Sequence, residues 1–107
     1  MEASPTSSWQ EFVTAYEAAH RDPRNRAVHH ATHVAVLAAL PLLWRGHPLA
    51  FAAISLLSLP VNWLAHAAFE GNAPAFLRAG DAWQKAQVAV GGLAWTAVTL
   101  WRRIQGG

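Results

Sequence analysis

The chain has 107 residues, and only 13% of them are charged whereas 53% are hydrophobic. Ordinary soluble domains carry about 25% charged residues, so this balance favours a membrane protein over a water-soluble helical bundle. The formal net charge is only +2 and no basic stripe follows any predicted helix, which excludes a nucleic-acid-binding surface. Because cysteine is absent, the sequence also excludes disulfides, thiolate ligands and a cysteine nucleophile.

The N-terminal segment lacks the basic start and the apolar stretch of a signal peptide. We expect residues 1–8 to form a flexible tail and residues 9–107 to form a single domain. Ser8 and Glu11 fit a capping box, which predicts the start of a helix. Apolar side chains then recur on one helical face at Trp9, Phe12, Val13 and Tyr16. This spacing predicts an amphipathic helix that ends near Arg21.

Three long apolar segments follow the amphipathic helix. Residues 27–44 contain no charged side chain, and a helix of this length spans about 27 Å, close to the apolar thickness of a bilayer. Pro41 is expected to kink this helix near its end. Residues 46–69 are also uncharged, and a third helix is predicted over 82–104 with an uncharged core at 86–101. The sequence therefore predicts an all-α integral membrane bundle, one amphipathic helix plus about three transmembrane helices.

The charges on the connecting segments indicate how such a bundle would be oriented. Three crossings place the N-terminus and residues 71–85 on one side of the membrane, and Arg45 and the C-terminus on the other. More cations lie on the first side, at Arg21, Arg24, Arg26, Arg78 and Lys85. The positive-inside rule then predicts a multi-pass protein with a cytoplasmic N-terminus.

Five of the six histidines fall at one end of the predicted bundle, and only His47 falls at the other. Helical spacing places His29 and His33 on one stripe with Asn25, and His66 on another with Asn62 and Glu70. Neutral imidazole is a common metal ligand, and an ionisable group at membrane depth is a candidate functional residue. The sequence thus predicts a metal site with four candidate histidines, namely His20, His29, His33 and His66.

Two interpretations are open for each of three polar residues near these histidines. Glu70 either binds the metal directly or accepts the second ring N–H of a liganding histidine. Asn25 and Asn72 either belong to the site or cap a helix and a turn.

Two motifs resemble the Mpo-like family of membrane 2-hydroxy fatty acid dioxygenases. The first is Tyr16-x-x-x-His20-x-x-Pro23-x-Asn25-x-x-x-His29, and the second is His66-x-x-Phe69-Glu70-x-x-x-Pro74-Ala75. The resemblance implies that ferrous iron and O2 are used to remove one carbon from a 2-hydroxy long-chain fatty acid. It also implies that His20, His29 and His66 bind the iron. His33 matches no position of these motifs, so its proposed role as a further ligand rests on helical geometry alone.

The same resemblance suggests roles for the residues around the iron. The substrate is expected to place its carboxylate near the cationic end of the bundle and its acyl chain between the apolar helices, in contact with membrane lipid. Catalytic roles are expected for Asn25 and Glu70. Substrate contacts are expected at Tyr16, Arg21, Arg24 and Asn72.

Three other functions compete with the dioxygenase hypothesis. A haem-binding electron carrier would need two axial histidines from facing helices. A di-iron hydroxylase would need more histidines than the five that share one end. A small lipid-binding or scaffold protein would need no metal.

Overall fold

The structure is a computed structural model that describes residues 5–78 and 80–106, and every regular element in these residues is a helix. The prediction of an all-α fold is therefore confirmed. In chain order the elements are α1 (Pro5–Ala18), α2 (Pro23–Ala39), α3 (Pro41–Trp44), α4 (Pro48–Ala65), a π-helical turn (His66–Glu70), α5 (Ala75–Arg78) and α6 (Ala82–Ile104).

Side-chain caps and prolines define where the helices start. The Asp22 carboxylate accepts a 2.8 Å hydrogen bond from the backbone N–H of Arg24 at the start of α2. Asp81 caps α6 in the same way. Helix α1 begins at Pro5, a residue type suited to a first helical turn, so Ser8 lies inside the helix and is not its cap. Residues 5–8 of the predicted tail are thus helical, whereas residues 1–4 lie outside the described residues.

Helix α2 lies at the centre of the bundle, and both α4 and α6 pack against it. The Thr32 hydroxyl donates to the Asn62 side chain at 2.8 Å and links α2 to α4. Gly91 and Gly92 allow α1 to approach α6 closely. A Cβ atom on Gly92 would lie 2.8 Å from the Tyr16 hydroxyl, and one on Gly91 would overlap the ring of Phe12.

Two segments, Pro23–Trp44 and Pro48–Glu70, are long and apolar enough to cross a membrane, as judged by length and composition. Pro41 separates α2 from α3 within the first of them, as the sequence predicts. Large apolar side chains of α4 are exposed, including Leu56, Leu57 and Leu64, each about two-thirds exposed. Helix α6 is not among these segments, so the structure supports two candidate crossings in the described residues where the sequence analysis expected three.

Helix α6 runs antiparallel to α2, which differs from the topology expected for a third crossing. His30 stacks on Trp95 and bonds to Thr96. His33 comes one turn after His30 in α2, yet it lies against Gly92, which comes one turn before Thr96 in α6. The expectation that the C-terminus lies beside Arg45 is therefore not met. The ten residues between Glu70 and Asp81, which include α5, connect the two helices along this path.

Candidate metal centre

Three histidines from three different elements meet at one end of the bundle. His20 follows α1, His29 lies in α2, and His66 is the first residue of the π-helical turn. Their exposed fractions are 1%, 3% and 0%. One nitrogen of each ring lies within 4.8 Å of the other two, and the Nε2 atoms of His20 and His66 are 3.0 Å apart. We call these residues the histidine triad.

Each ring of the histidine triad uses its Nδ1 atom to contact an oxygen that accepts hydrogen bonds. Nδ1 of His20 lies 2.5 Å from the backbone oxygen of Tyr16. Nδ1 of His29 lies 2.9 Å from the backbone oxygen of Asn25. Because a carbonyl oxygen has no proton to give, Nδ1 must be the protonated nitrogen in both rings, and Nε2 carries a free lone pair.

Asn72 sets the tautomer of the third ring. Nδ1 of His66 lies 2.6 Å from Oδ1 of Asn72, and the amide group of Asn72 donates to the backbone oxygen of Ala19 at 3.3 Å. This second bond fixes which end of the Asn72 side chain is the oxygen. His66 therefore donates from Nδ1 as well. Asn72 thus holds His66 in place, and it is not among the residues that line the neighbouring cavity.

The lone pairs of His20 and His66 face each other at 3.0 Å, a distance at which two unprotonated nitrogens repel unless a cation lies between them. A proton is a poor candidate for this cation at neutral pH, because burial lowers the pKa of His20 to about 4. A divalent metal ion suits the donors better, since imidazole nitrogens bind such ions at about 2.1 Å. Two nitrogens 3.0 Å apart can both reach one ion at that distance. The residues present therefore fit a metal site.

The local backbone aims His66 at the other two rings. In a continuous α-helix His66 and Glu70 would share a stripe with Asn62, as the sequence analysis assumed. The π-helical turn widens the helix at this point, and the Gly71 N–H donates to the His66 carbonyl at 2.7 Å. Gly71 ends the turn with a positive φ of 73°. Single π-helical turns are often found at functional sites.

Glu70 joins the end of this turn to the start of α2. Its Oε2 atom accepts from the backbone N–H of Asp22 at 2.7 Å and from the Asn25 amide at 3.2 Å. Glu70 is not in the group of potential metal ligands and makes no hydrogen bond to a histidine ring in the described residues. The sequence offered two roles for Glu70, as a metal ligand or as an acceptor from a histidine ring. The observed contacts are different, and they position α2 against α4.

Asn25 is fully buried and lies one turn before His29 on the stripe that the sequence analysis identified. Its backbone oxygen orients His29, and its amide group is bound to Glu70. The remaining side-chain oxygen, Oδ1, has no hydrogen-bond partner within residues 5–78 and 80–106. A buried acceptor without a partner is costly, so Oδ1 of Asn25 is an unsatisfied polar atom one helical turn before His29.

His33 lies beside the histidine triad but outside it. Its Nδ1 atom and that of His30 each lie 2.8 Å from the hydroxyl oxygen of Thr96, which is fully buried. One hydroxyl has one proton, so Thr96 donates to one ring and accepts from the other. The sequence analysis missed Thr96, because a single threonine in an apolar helix has no distinctive spacing.

Tyr16 stacks on the His20 ring with centroids 4.1 Å apart, and burial raises the pKa of its hydroxyl. Arg21 and Arg24, which were predicted to contact the substrate, lie farther from the histidine triad than Tyr16 does. Arg24 forms a 2.9 Å ion pair with Asp22, lowers the pKa of that carboxyl, and lies 4.5 Å above the ring of Phe69. Arg21 is exposed, and neither arginine lines the cavity described next.

A cavity of about 490 Å³ extends from the histidine triad between α4 and α6, with α2 behind it. Tyr16 and His33 lie at its polar end. Most of the remaining wall is apolar and includes Val36, Leu59, Trp63, Val88 and Leu93. This volume is within the range of small-molecule sites, about 300–1,000 Å³.

Comparison with known proteins gives a family match over most of the chain. The model of a family described as 2-hydroxy-palmitic acid dioxygenase Mpo1-like matches residues 6–99. This range contains the whole histidine triad and both motifs on which the resemblance was based. No curated protein and no solved structure matches the chain.

Replacing His20, His29 or His66 by Ala removes one of the three nitrogen donors. Loss of a partner that merely orients a ligand costs about 10- to 100-fold in metal affinity, so loss of a ligand itself should cost at least as much. We expect each variant to lose its metal, as measured by elemental analysis of purified protein. His47→Ala, which changes an exposed histidine at the other end of α4, is the control and should keep the metal.

His33→Ala should also keep the metal, because His33 lies outside the histidine triad. Loss of metal from His33→Ala would make His33 a fourth ligand. Loss from His47→Ala combined with retention in His66→Ala would show that the metal binds elsewhere.

Proposed function

The chain belongs to the Mpo1-like family of 2-hydroxy-palmitic acid dioxygenases, and on that premise we propose that it is a membrane-bound iron(II) dioxygenase that removes one carbon from 2-hydroxy long-chain fatty acids. The observation that carries this proposal is the buried histidine triad, in which three Nε2 lone pairs converge at the end of an apolar cavity. Three neutral nitrogen donors with free positions beside them suit a non-haem iron(II) centre.

The proposed reaction balances without an added reductant. Carbon 1 of the 2-hydroxy acid leaves as CO2, and carbon 2 becomes the carboxylate of a fatty acid one carbon shorter. The substrate loses four electrons, and O2 accepts the same number and gives one oxygen atom to the product and one to water. Bound ferrous iron supplies the Lewis acidity and the O2 activation that this chemistry needs.

The polar residues around the histidine triad suit the head group of such a substrate. His20, His29 and His66 are neutral ligands, so a bound ferrous ion would keep its full positive charge. That charge would attract a substrate carboxylate. The Tyr16 hydroxyl stays protonated at neutral pH because burial raises its pKa, and it can donate to a substrate oxygen. The free Oδ1 atom of Asn25 can accept from the 2-hydroxyl or from a water molecule.

The apolar cavity suits the acyl chain of the substrate. Its walls come from α2, α4, α5 and α6, and most of the side chains that line it beyond the histidine triad are apolar. Burial of each methylene group contributes about 0.8 kcal/mol to binding. A long acyl chain therefore provides binding energy far from the reacting carbons, and the carboxylate and 2-hydroxyl can lie beside the iron.

The spacing of the nitrogens favours one iron ion over haem. Axial histidines on opposite faces of a haem are separated by two metal–nitrogen bonds of about 2.0 Å each, or about 4 Å in total. The 3.0 Å separation between His20 and His66 is too short for that arrangement. A di-iron centre would need further ligands, whereas the potential ligand group in the described residues contains three histidines.

We place the protein in a membrane, with α2 and α4 crossing it and the histidine triad near the cytoplasmic side. The antiparallel direction of α6 brings the C-terminal cations to the end of the bundle that holds the triad. That end then carries Arg21, Arg24, Arg26, Arg102 and Arg103. Arg45, in the turn before α4, and Lys85, in the first turn of α6, lie toward the opposite end. The positive-inside rule favours a cytoplasmic location for the more basic end.

Anaerobic reconstitution tests the reaction. We expect protein loaded with Fe(II) to consume O2 and to convert a 2-hydroxy long-chain fatty acid into the acid one carbon shorter, as measured by mass spectrometry. Protein loaded with Zn(II) should be inactive, because zinc has no redox chemistry. His66→Ala serves as the control for iron that is not bound at the triad. Full activity with zinc would contradict the dioxygenase proposal.

Single cysteines test the membrane topology, because the natural chain has none. A thiol reagent that does not cross membranes should label Arg21→Cys and Arg103→Cys from the same side, and His47→Cys from the other side. Cysteines at exposed, polar positions should preserve the fold. Labelling of Arg103→Cys together with His47→Cys would show that α6 runs in the opposite direction from that described above.

A further inference from the structure

The cavity follows helix α4 along most of its length, and a strip of lining residues runs the full distance. Lining residues recur about one helical turn apart from the first turn of α4 to the histidine triad, at Phe51, Ser55, Leu59, Asn62 and His66. Phe51 is the lining residue of α4 that lies farthest from His66. We propose that Phe51 is the stop for the acyl chain, so that the distance from the histidine triad to Phe51 sets the longest fatty acid accepted. This inference rests on the proposed function for the identity of the ligand.

The gap that holds the chain results from the way the helices pack. Helices α4 and α6 both pack against α2, and a slot remains between them. Val36 of α2 lies at the back of the slot, and Val88 and Leu93 of α6 face α4 across it. A slot of this shape is long and narrow, which suits an unbranched alkyl chain.

The polar side chains along the strip are already bonded to the protein. The Ser55 hydroxyl donates to the Phe51 carbonyl at 3.0 Å, and the Ser58 hydroxyl donates to the Ser55 carbonyl at 2.6 Å. The Asn62 side-chain oxygen accepts from Thr32. Between the histidine triad and Phe51, the two serine hydroxyls in the wall formed by α4 are therefore bonded within the helix, and the other α4 side chains that line it, apart from Asn62, are apolar, as an alkyl chain requires.

The length of the strip gives an independent estimate of chain length. Phe51 and His66 are fifteen residues apart, which corresponds to about 22 Å along a helix at 1.5 Å per residue. An extended backbone of three bonds advances by at most about 3.6 Å, or about 1.2 Å per bond. The strip therefore accommodates an extended chain of about 18 bonds. This length corresponds to common long-chain fatty acids and excludes very long ones.

Phe51 has the position and the size needed to act as a stop. It lies in the first turn of α4, where its backbone N–H donates to the His47 carbonyl at 3.3 Å, so its backbone is fixed. Its ring is half-buried and forms part of the cavity wall. Phe51→Ala would open this end of the cavity, whereas Phe51→Trp would fill more of it. Leu57→Ala is a matched control, because Leu57 lies on the same helix, is 66% exposed and does not line the cavity.

Binding and turnover are measured with a series of saturated 2-hydroxy fatty acids whose lengths bracket the estimated limit, using iron-loaded protein in lipid nanodiscs. Each methylene buried in the cavity raises affinity about fourfold, and methylenes beyond the stop add nothing or reduce affinity. We expect the wild-type limit to lie near the estimated length, the Phe51→Ala limit to be longer and the Phe51→Trp limit to be shorter. Leu57→Ala should match the wild type.

The binding measurement, repeated with zinc-loaded protein, separates the two proposals. If the wild type binds the acids with a length limit that Phe51 variants move, but turns none of them over, the proposed reaction fails and the inference stands. If turnover is observed but neither Phe51 variant moves the limit, the inference is overturned and the proposed function stands. Thermal unfolding of each variant verifies that the comparison is made between folded proteins.

Discussion

The fold depends on one electrostatic constraint, the convergence of unshared lone pairs on three buried imidazoles. The Nε2 atoms of His20 and His66 lie 3.0 Å apart, and neither carries a proton while Nδ1 donates elsewhere. Such an arrangement is unfavourable alone and favourable around a cation. A metal ion held by these rings would couple its binding to folding, since the rings come from three separate elements. The buried position of the triad also ensures that few water molecules compete with the protein ligands.

Most of the other polar contacts at this end of the bundle serve to hold the rings in place. Two backbone carbonyls and Asn72 fix the tautomers of the three histidines, which raises the basicity of their Nε2 atoms and prevents the rings from turning. Glu70 bonds to the start of α2 and so fixes the distance between the helix that carries His29 and the turn that carries His66. Thr96 ties His33 to α6 and keeps it beside the cavity. These neighbours thus hold the three rings in one arrangement through hydrogen bonds within the protein.

Helical periodicity predicted the end of the bundle where the histidines gather, but it did not separate His33 from the three that meet, and it could not predict how those three are supported. The stripes through His29 and His66, and the inward face of the helix before His20, placed these three residues together because an ideal helix fixes which positions share a face. The π-helical turn broke the same rule for Glu70, and no local sequence signal marks such a turn. The support given by Asn72 and Thr96 depends on tertiary contacts. The direction of α6 was predicted wrongly because the linker after Glu70 is long enough to return along α4, a possibility that charge counting ignores.

X-ray absorption spectroscopy at the iron edge tests the central claim most directly, because it reports the atoms bound to the metal in the intact protein. The account predicts one iron per chain with about three imidazole nitrogens at roughly 2.1 Å, together with oxygen donors from water or substrate. In a variant that lacks one triad histidine but still binds some iron, the spectrum should contain one imidazole nitrogen fewer per iron. A spectrum that shows the nitrogen ligands of a haem, or a second iron close to the first, would contradict a mononuclear site at the histidine triad.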